Sequence, residues 1–288
     1  MAIKYETVII FGPTGAVGGA AAVEAHKRGA KVWLAMRDPT KAIPAISKEE
    51  EQSGSYSRIK ADLSDPKSVK EAVQQSQAKA AFTYFVRTGD GLKSSLQAMK
   101  DAGIDRGKGA DPYFHAQVEI SLEDLGIAHT SLRPAQFASN TLKRSLNKTK
   151  QPWEAWILFG DLRGDAIAPR DIGRVGGAVL VDRPSAGSKE IVYLCGPKIL
   201  TVDQQWDIIK KVTGKEFRII RPTKEEYAKF LSPEVPTLIV NYLIATQEAW
   251  LNKDPYPEAF YSENVANITK YSGYEPTSLE EFVASYPL

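Results

Sequence analysis

Seven residues, Gly12-Pro13-Thr14-Gly15-Ala16-Val17-Gly18, directly after Thr7-Val8-Ile9-Ile10-Phe11, restrict this chain more than any other feature. An apolar and β-branched run without polar alternation suits a strand buried on both faces, as in a parallel sheet. The glycines permit a tight turn and let the backbone come close to a bound group. Ala16 to Arg28 reads as a helix stopped by Gly29, and Gly18-Gly19-Ala20-Ala21-Ala22 lets it lie close on the sheet. The N–H groups of its first turn lack intrahelical acceptors and carry partial positive charge, which suits a pyrophosphate. The spacing is Gly-x-x-Gly-x-x-Gly, not the commoner Gly-x-Gly-x-x-Gly. A glycine-rich surface turn would carry the same triplet. The strand before it and the Ala-rich helix after it favour a nucleotide loop, with Gly12, Thr14, Gly15, Val17 and Gly18 as candidate contacts.

Lys31 to Met36 is a second buried strand, followed by Arg37-Asp38-Pro39-Thr40-Lys41. Arg37 stands 19 positions after Gly18, about where such folds place the group that reads the adenosine ribose. An arginine there pairs a 2′-phosphate, and Lys41 adds a second positive charge. The rival is Asp38 as an acceptor for a free 2′-hydroxyl, although Asp before Pro also reads as the start of a helix. The balance favours NADP(H). Ser57 to Ala61 is a short third strand ending at Asp62, which faces the ligand side of an open sheet. Asp62 is a candidate for the adenine amino group, and plain turn chemistry explains it equally well.

At 288 residues the chain can bury a large core. Its 37 basic and 35 acidic residues leave +2, which argues against a dedicated nucleic-acid surface. The basic run around Lys143 to Lys150 reads as a solvated helix end in preference to a phosphate or partner site. Cys195 is the only cysteine, so no disulfide and no cysteine-based metal cluster are expected, and its apolar neighbours suggest packing over reactivity. A strand beginning by Ile3 leaves no room for a signal peptide, and no apolar run reaches membrane length. These features predict a soluble cytoplasmic protein with no metal, nucleic-acid or membrane partner.

A β–α–β rhythm continues through a helix from Pro66 capped by Asp65, a strand over Ala80 to Val86 and a helix over Leu92 to Ala102. Glu49 to Ser55 reads as a loop. The sheet then requires another apolar strand, and Ile104 to Asp111 offers one large apolar side chain and two glycines. The helix Pro112 to Leu125 and the strand Ile127 to Leu132 follow at once. The expected fold is therefore α/β, a doubly wound parallel (Rossmann) sheet with one central strand missing or distorted, plus a small helical C-terminal lobe. Residues 1–150, with 170–195 returning, form the first domain, and 151–169 with 196–288 the lobe. Within the lobe, Thr201 starts a capped helix, and Pro233 to Trp250 presents Leu238, Ile239, Tyr242 and Leu243 on one apolar face.

Three stretches carry a family resemblance: Gly12-x-x-Gly15-x-x-Gly18, Arg37-Asp38-Pro39-x-Lys41-Ala42, and His115-x-x-x-Glu119 with Thr130-Ser131-Leu132-Arg133-Pro134-x-x-Phe137-x-x-Asn140. Together with Arg170-Asp171-Ile172-Gly173 and Gly196-Pro197, they resemble the NmrA-like family of atypical short-chain dehydrogenases/reductases. The resemblance implies NADP(H) on Gly12, Gly15, Gly18, Arg37 and Lys41, with Asn140 near the nicotinamide. It implies either reduction of a small quinone, enone or carbonyl substrate, or a redox sensor that binds a protein partner without turnover. The usual acid is a tyrosine with a lysine four residues on, which lowers the phenol pKa. Here Tyr113 is followed by Gln117, and His115 stands where many members carry lysine. Tyr113 and His115 are thus the catalytic candidates, and His115 reads equally as a helix histidine bonded locally. His26 and His129 read as structural.

Overall fold

The computed structural model describes all residues except Met1, Ala2, Ser53, Ser55, Arg87, Asp105, residues 108–111, residues 183–188 and Glu234, and gives backbone only at residues 106–107 and 112–116. It divides into two compact units, Met1–Pro134 with Pro169–Leu194 and Asn267–Glu275, and Ala135–Ala168 with Cys195–Ala266 and Pro276–Leu288. The boundary at Pro134 lies earlier than 150, so Asn140 falls in the second unit.

The first unit opens with β1 (Thr7–Phe11), α1 (Ala16–Lys27), β2 (Lys31–Met36), α2 (Lys48–Gln52), β3 (Tyr56–Lys60), α3 (Pro66–Ser76), β4 (Ala80–Phe82) and α4 (Lys93–Asp101). It continues with β5 (Arg106–Gly107), α5 (Pro112–Asp124) and β6 (Ala128–Pro134). Asp65 caps α3 by accepting from the Lys67 N–H, as Asp-Pro at a helix start predicts. The expected loop over 49–55 instead contains α2. Ser47 and Glu50 exchange hydrogen bonds, Ser47 N–H to Oε2 at 2.9 Å and Glu50 N–H to Oγ at 3.1 Å, a capping box that starts the turn. The chain then runs through α6 (Ala138–Ser145), β7 (Leu146–Asn147), β8 (Trp153–Trp156) and β9 (Arg163–Asp165). It returns to the first unit as α7 (Pro169–Asp182) and β10 (Lys189–Leu194).

The seven strands of the main sheet run β10-β6-β5-β4-β1-β2-β3, all pairs parallel. Alternate residues of β1 serve opposite cores, Ile9 and Phe11 against α3, α4 and α5, and Val8 and Ile10 against α1 and α7. That is the burial on both faces expected of a doubly wound sheet. The slot expected to be missing or distorted holds the two-residue β5, which pairs Ala80 with Arg106, Arg106 with Ala128 and Gly107 with His129. Strand β6 therefore neither moves over to β4 nor leaves a split. Backbone donors and acceptors suffice for this pairing, so a segment poor in apolar side chains holds the place. The rest of the expected gap, Asp105 and residues 108–111, lies outside the described residues.

The second unit adds β11 (Ile199–Thr201), α8 (Val202–Thr213), β12 (Phe217–Ile220), α9 (Lys224–Leu231), α10 (Thr237–Ala249), α11 (Glu258–Ser272) up to Ala266, and α12 (Leu279–Ser285), the end of α11 from Asn267 belonging to the first unit. It is not purely helical: β9 and β11 form an antiparallel pair, and β12-β8-β7 a three-stranded sheet. Thr201 starts α8 with a full capping box to Gln204, as expected. The apolar face of α10 differs from the expectation. Val240 and Ile244 are buried with Tyr227 and Leu231, whereas Leu238 and Tyr242 stand 81% and 63% exposed. Among the described residues no helix is long and apolar enough to cross a membrane.

Candidate functional site

Parallel pairing brings the candidate residues to one edge of the main sheet. Phe11 pairs Ala35 and Met36 pairs Lys60, so the segments after β1, β2 and β3 leave the sheet side by side. The ladder extends past the strands, with Gly12 N–H on the Ala35 carbonyl at 3.1 Å and Ala61 N–H on the Met36 carbonyl at 2.9 Å. Gly12, Arg37 and Asp62 thus share the carboxyl edge, where open α/β sheets bind ligands.

Gly12 takes φ +71°, the left-handed turn that glycine accepts without strain. Its carbonyl accepts from the Gly15 N–H at 3.1 Å, closing the loop onto itself. Thr14, Gly15 and Ala16 are exposed while Gly18 and Gly19 are buried, so the loop tip is open and its base is packed. Helix α1 begins at Gly15 with no side-chain cap and no acidic residue in its first turn. Its leading N–H groups therefore carry no competing side-chain acceptor, which is what a phosphate requires. A Cβ at Gly18 would overlap the Gly12 carbonyl oxygen, which shows how closely helix and loop approach.

Arg37 and Lys41 are both exposed, and among the described residues neither side chain has a hydrogen bond or ion pair. Asp38 does not start a helix. Its Oδ1 accepts from the Thr40 N–H at 3.0 Å and the Thr40 hydroxyl at 2.6 Å, and these bonds hold its carboxyl below the usual range. An Asx turn is the better outlet for Asp-Pro here because no helix follows. Asp62 is committed in the same way, to the Ser64 hydroxyl at 2.7 Å and N–H at 2.9 Å. These bonds, and then Arg37, lower its pKa.

Tyr84, just past β4, escaped the sequence reading. It is 45% exposed, and its ring lies against Gly12, where a Cβ would come 2.5 Å from Cε1. Strand β4 ends at Phe82, not Val86, so the aromatic leaves the sheet at the loop. Arg58 on β3 also went unread. Its Nη1 donates to the Pro39 carbonyl at 2.5 Å and the Lys41 carbonyl at 2.7 Å.

Tyr113 and His115 belong to α5, and their side chains lie outside the described residues. The orientation of α5 is fixed lower down by Glu119, 5% exposed, which receives Arg133 Nη2 at 2.7 Å. Burial is the largest influence on Glu119 and opposes its ionisation, but the Arg133 guanidinium, Ser131 and Lys189 together hold the carboxyl below its ordinary range. A depressed folded pKa stabilises above the unfolded value, about 4.3, and that contribution is lost as pH falls through the folded pKa. The stability gap between wild type and Glu119→Gln is therefore expected to be largest near neutrality and to close in acid. A gap independent of pH in denaturant titrations would remove the ion pair from that role.

His129 is buried, with Nδ1 on the Ile127 carbonyl at 3.1 Å, and His26 packs on the Tyr56 ring at 4.6 Å. These contacts are the packing and local bonding that a structural reading of the two residues expects. Cys195 is buried, and burial with Asp165 nearby pushes its thiol up to about 12, so it packs as an apolar residue. Asn140 lies on α6 in the second unit, with its N–H on the Phe137 carbonyl at 2.9 Å.

No family model matches the chain. It is 35% identical to the nitrogen metabolite regulation-like protein bik4 of Gibberella fujikuroi, over 97% of this chain and 96% of that one. The aligned stretch of 314 positions exceeds the 288 residues here, so the relative carries residues without a counterpart. Among solved structures, the NADPH-dependent quinone oxidoreductase QOR2 of Escherichia coli, complexed with NADPH, superposes with TM-score 0.73 at 18% identity, over 96% of this chain and 98% of that one. NmrA, a negative transcriptional regulator, gives TM-score 0.67 at 16% identity, over 98% and 95%. At such identities the structural likeness is one of fold.

Proposed function

Since the chain belongs to the nitrogen metabolite regulation-like (NmrA-like) family, we propose that it binds NADP(H) on its first unit and acts as an NADPH-dependent oxidoreductase on a small quinone, enone or carbonyl compound. The observation that carries the reading is the open, uncapped start of α1 sharing a sheet edge with unpaired Arg37 and Lys41. A dinucleotide with a 2′-phosphate presents two anionic groups, and these are two separate anion-seeking features. The glycines fit the group: the loop tip at Thr14 and Gly15 is exposed, and only a residue without a side chain at Gly18 lets the start of α1 pack on the Gly12 backbone beneath it.

When bound, the nicotinamide supplies a hydride. In this reading Gly12 to Gly18 hold the pyrophosphate, Arg37 and Lys41 the 2′-phosphate, and His115, Tyr113 or a water gives the proton to the substrate oxygen. The role of Asp62 at the adenine rests on its place at the sheet edge, and that of Asn140 at the nicotinamide end on the family resemblance alone. NADPH oxidation by the purified protein over a panel of quinones and enones is the direct test. Arg37→Ala is expected to weaken NADPH at least about tenfold, with NADH nearly unchanged, because a charge-assisted pair contributes roughly 1.5–3 kcal/mol. Equal losses would make Arg37 a structural residue. In an active preparation His115→Ala is expected to lower turnover more than NADPH affinity, and unchanged rates would end its candidacy.

One observation favours a second reading. Gln117 stands where a lysine would support Tyr113, and its Cβ lies under the loop, 2.9 Å from where a Gly91 Cβ would be. A neutral amide cannot lower a phenol pKa, so a sensor that binds NADP(H) and a protein partner without turnover is the alternative. NADPH binding with no oxidation across the panel would select it.

A further inference from the structure

We infer that Arg58 is the positioning residue of the 2′-phosphate subsite: through its hold on the Arg37–Lys41 segment it sets the preference for NADP(H) over NAD(H). The inference rests on the cofactor reading above and assigns a role to residues outside the candidate contacts.

Arg58 lies on β3 opposite Leu34 of β2, so its side chain starts close to the end of the strand that carries Arg37. One end of its guanidinium grips the segment, with Nη1 on both the Pro39 and Lys41 carbonyls. The other end is bidentate on Glu51 of α2, Nε to Oε1 at 2.5 Å and Nη2 to Oε2 at 2.9 Å. Both side chains are largely covered, 26% and 19% exposed, so the pair is screened less than a surface bridge. Inside the segment only the Asp38–Thr40 turn and a Lys41 N–H to Asp38 carbonyl bond of 3.3 Å hold its shape. The backbone on either side of Arg37 and Lys41 is thus fixed from within by Asp38 and from outside by Arg58.

Arg37 and Lys41 are exposed, with long side chains that lose rotamer freedom on pairing with phosphate. Charges placed by a rigid backbone give up less than charges on a wandering loop, and a supporting side chain that never touches the ligand can control that. A cofactor without the 2′-phosphate does not use these charges. Its pyrophosphate would rest on α1, whose start has no hydrogen bond to Arg58. Loosening the segment should therefore be felt by NADPH and not by NADH.

The test is calorimetric titration of the full chain with NADPH and with NADH, for wild type, Arg58→Ala, Arg58→Lys, Glu51→Gln and Arg37→Ala. Arg58→Ala is expected to weaken NADPH about five- to twentyfold while NADH stays within about twofold, given the worth of charge-assisted contacts. Glu51→Gln should move in the same direction by less. Arg58→Lys should recover part of the preference, because an ammonium reaches the carbonyls but cannot hold Glu51 with a bidentate fork. If Arg58→Ala fails to fold, the Glu51→Gln and Arg58→Lys pair decides the question. Equal losses for both cofactors, or an intact NADPH preference in these variants beside a weakened Arg37→Ala, would overturn the role of Arg58 and leave the cofactor reading standing. A wild type without preference for NADPH, or an Arg37→Ala indistinguishable from it, would bring down the cofactor reading and this inference with it.

Discussion

Gly18→Ala is expected to abolish NADPH binding and to cost about 1–3 kcal/mol of stability, the range for forcing a methyl into a packed site. The added Cβ would overlap the Gly12 carbonyl oxygen, with the Gly12 carbonyl carbon at 3.0 Å and Pro13 Cα at 3.4 Å. None of these is a flexible side-chain tip. The Gly12 carbonyl is held by the Gly15 N–H and the Gly12 N–H is tied to Ala35, so the loop can move only by breaking those bonds. Moving it shifts the first turn of α1, and with it the N–H groups meant for the pyrophosphate. Gly15→Ala is the informative control, because its Cβ would sit 3.5 Å from the same oxygen in an extended conformation open to any residue. That variant should keep its stability. Titration with NADPH and unfolding in denaturant measure both effects, and a Gly18→Ala protein that binds like wild type would mean the helix does not rest on the loop.

Trp206→Ala is expected to cost roughly 3–5 kcal/mol, the range for removing a large buried aromatic. Trp206 is 1% exposed and meets Phe217 edge-on at 5.3 Å in the core formed by Ile209, Leu279, Phe282 and Val283. Trp206→Phe should cost far less, under about 1.5 kcal/mol. Phenylalanine leaves a smaller void, and it also deletes an indole N–H that is buried without a partner among the described residues. Chemical denaturation separates the two outcomes. Equal destabilisation by Ala and Phe would show that Nε1 has an acceptor and that its loss, not volume, dominates.

Where side-chain pattern and backbone geometry agree, the sequence is easy to read. The apolar run Val8 to Phe11, the glycine turn and the small residues of α1 all call for the same parallel strand and close helix, and that arrangement is present. Caps were legible because they are local, as at Asp65 and Thr201. Long-range partners were not. Nothing near Arg58 in the chain marks the Pro39 and Lys41 carbonyls as its acceptors, since β2 and β3 must pair before they meet. Tyr84 reads as part of a strand until β4 is seen to end at Phe82. On α10 an apolar run nearly all round hides which stripe is buried, and the positions of α9, Trp156 and Leu158 select Val240 and Ile244.

Among the described residues, backbone pairing is distributed unevenly across the main sheet. Among these residues, five pairs join β1 to β2 and six join β6 to β10, while one joins β4 to β5 and two join β5 to β6. Side-chain burial adds to the backbone pairing across the middle. Ile9, Ala81, Val118, Leu122 and Ile127 share one core and span that seam on one face of the sheet. Units with many shared hydrogen bonds open together, and a seam with few lets its two sides open separately. Amides of β6 and β10 should accordingly exchange with solvent as one block and those of β1 to β3 as another. The half that carries the glycine loop is then expected to stay protected while β6 and β10 exchange.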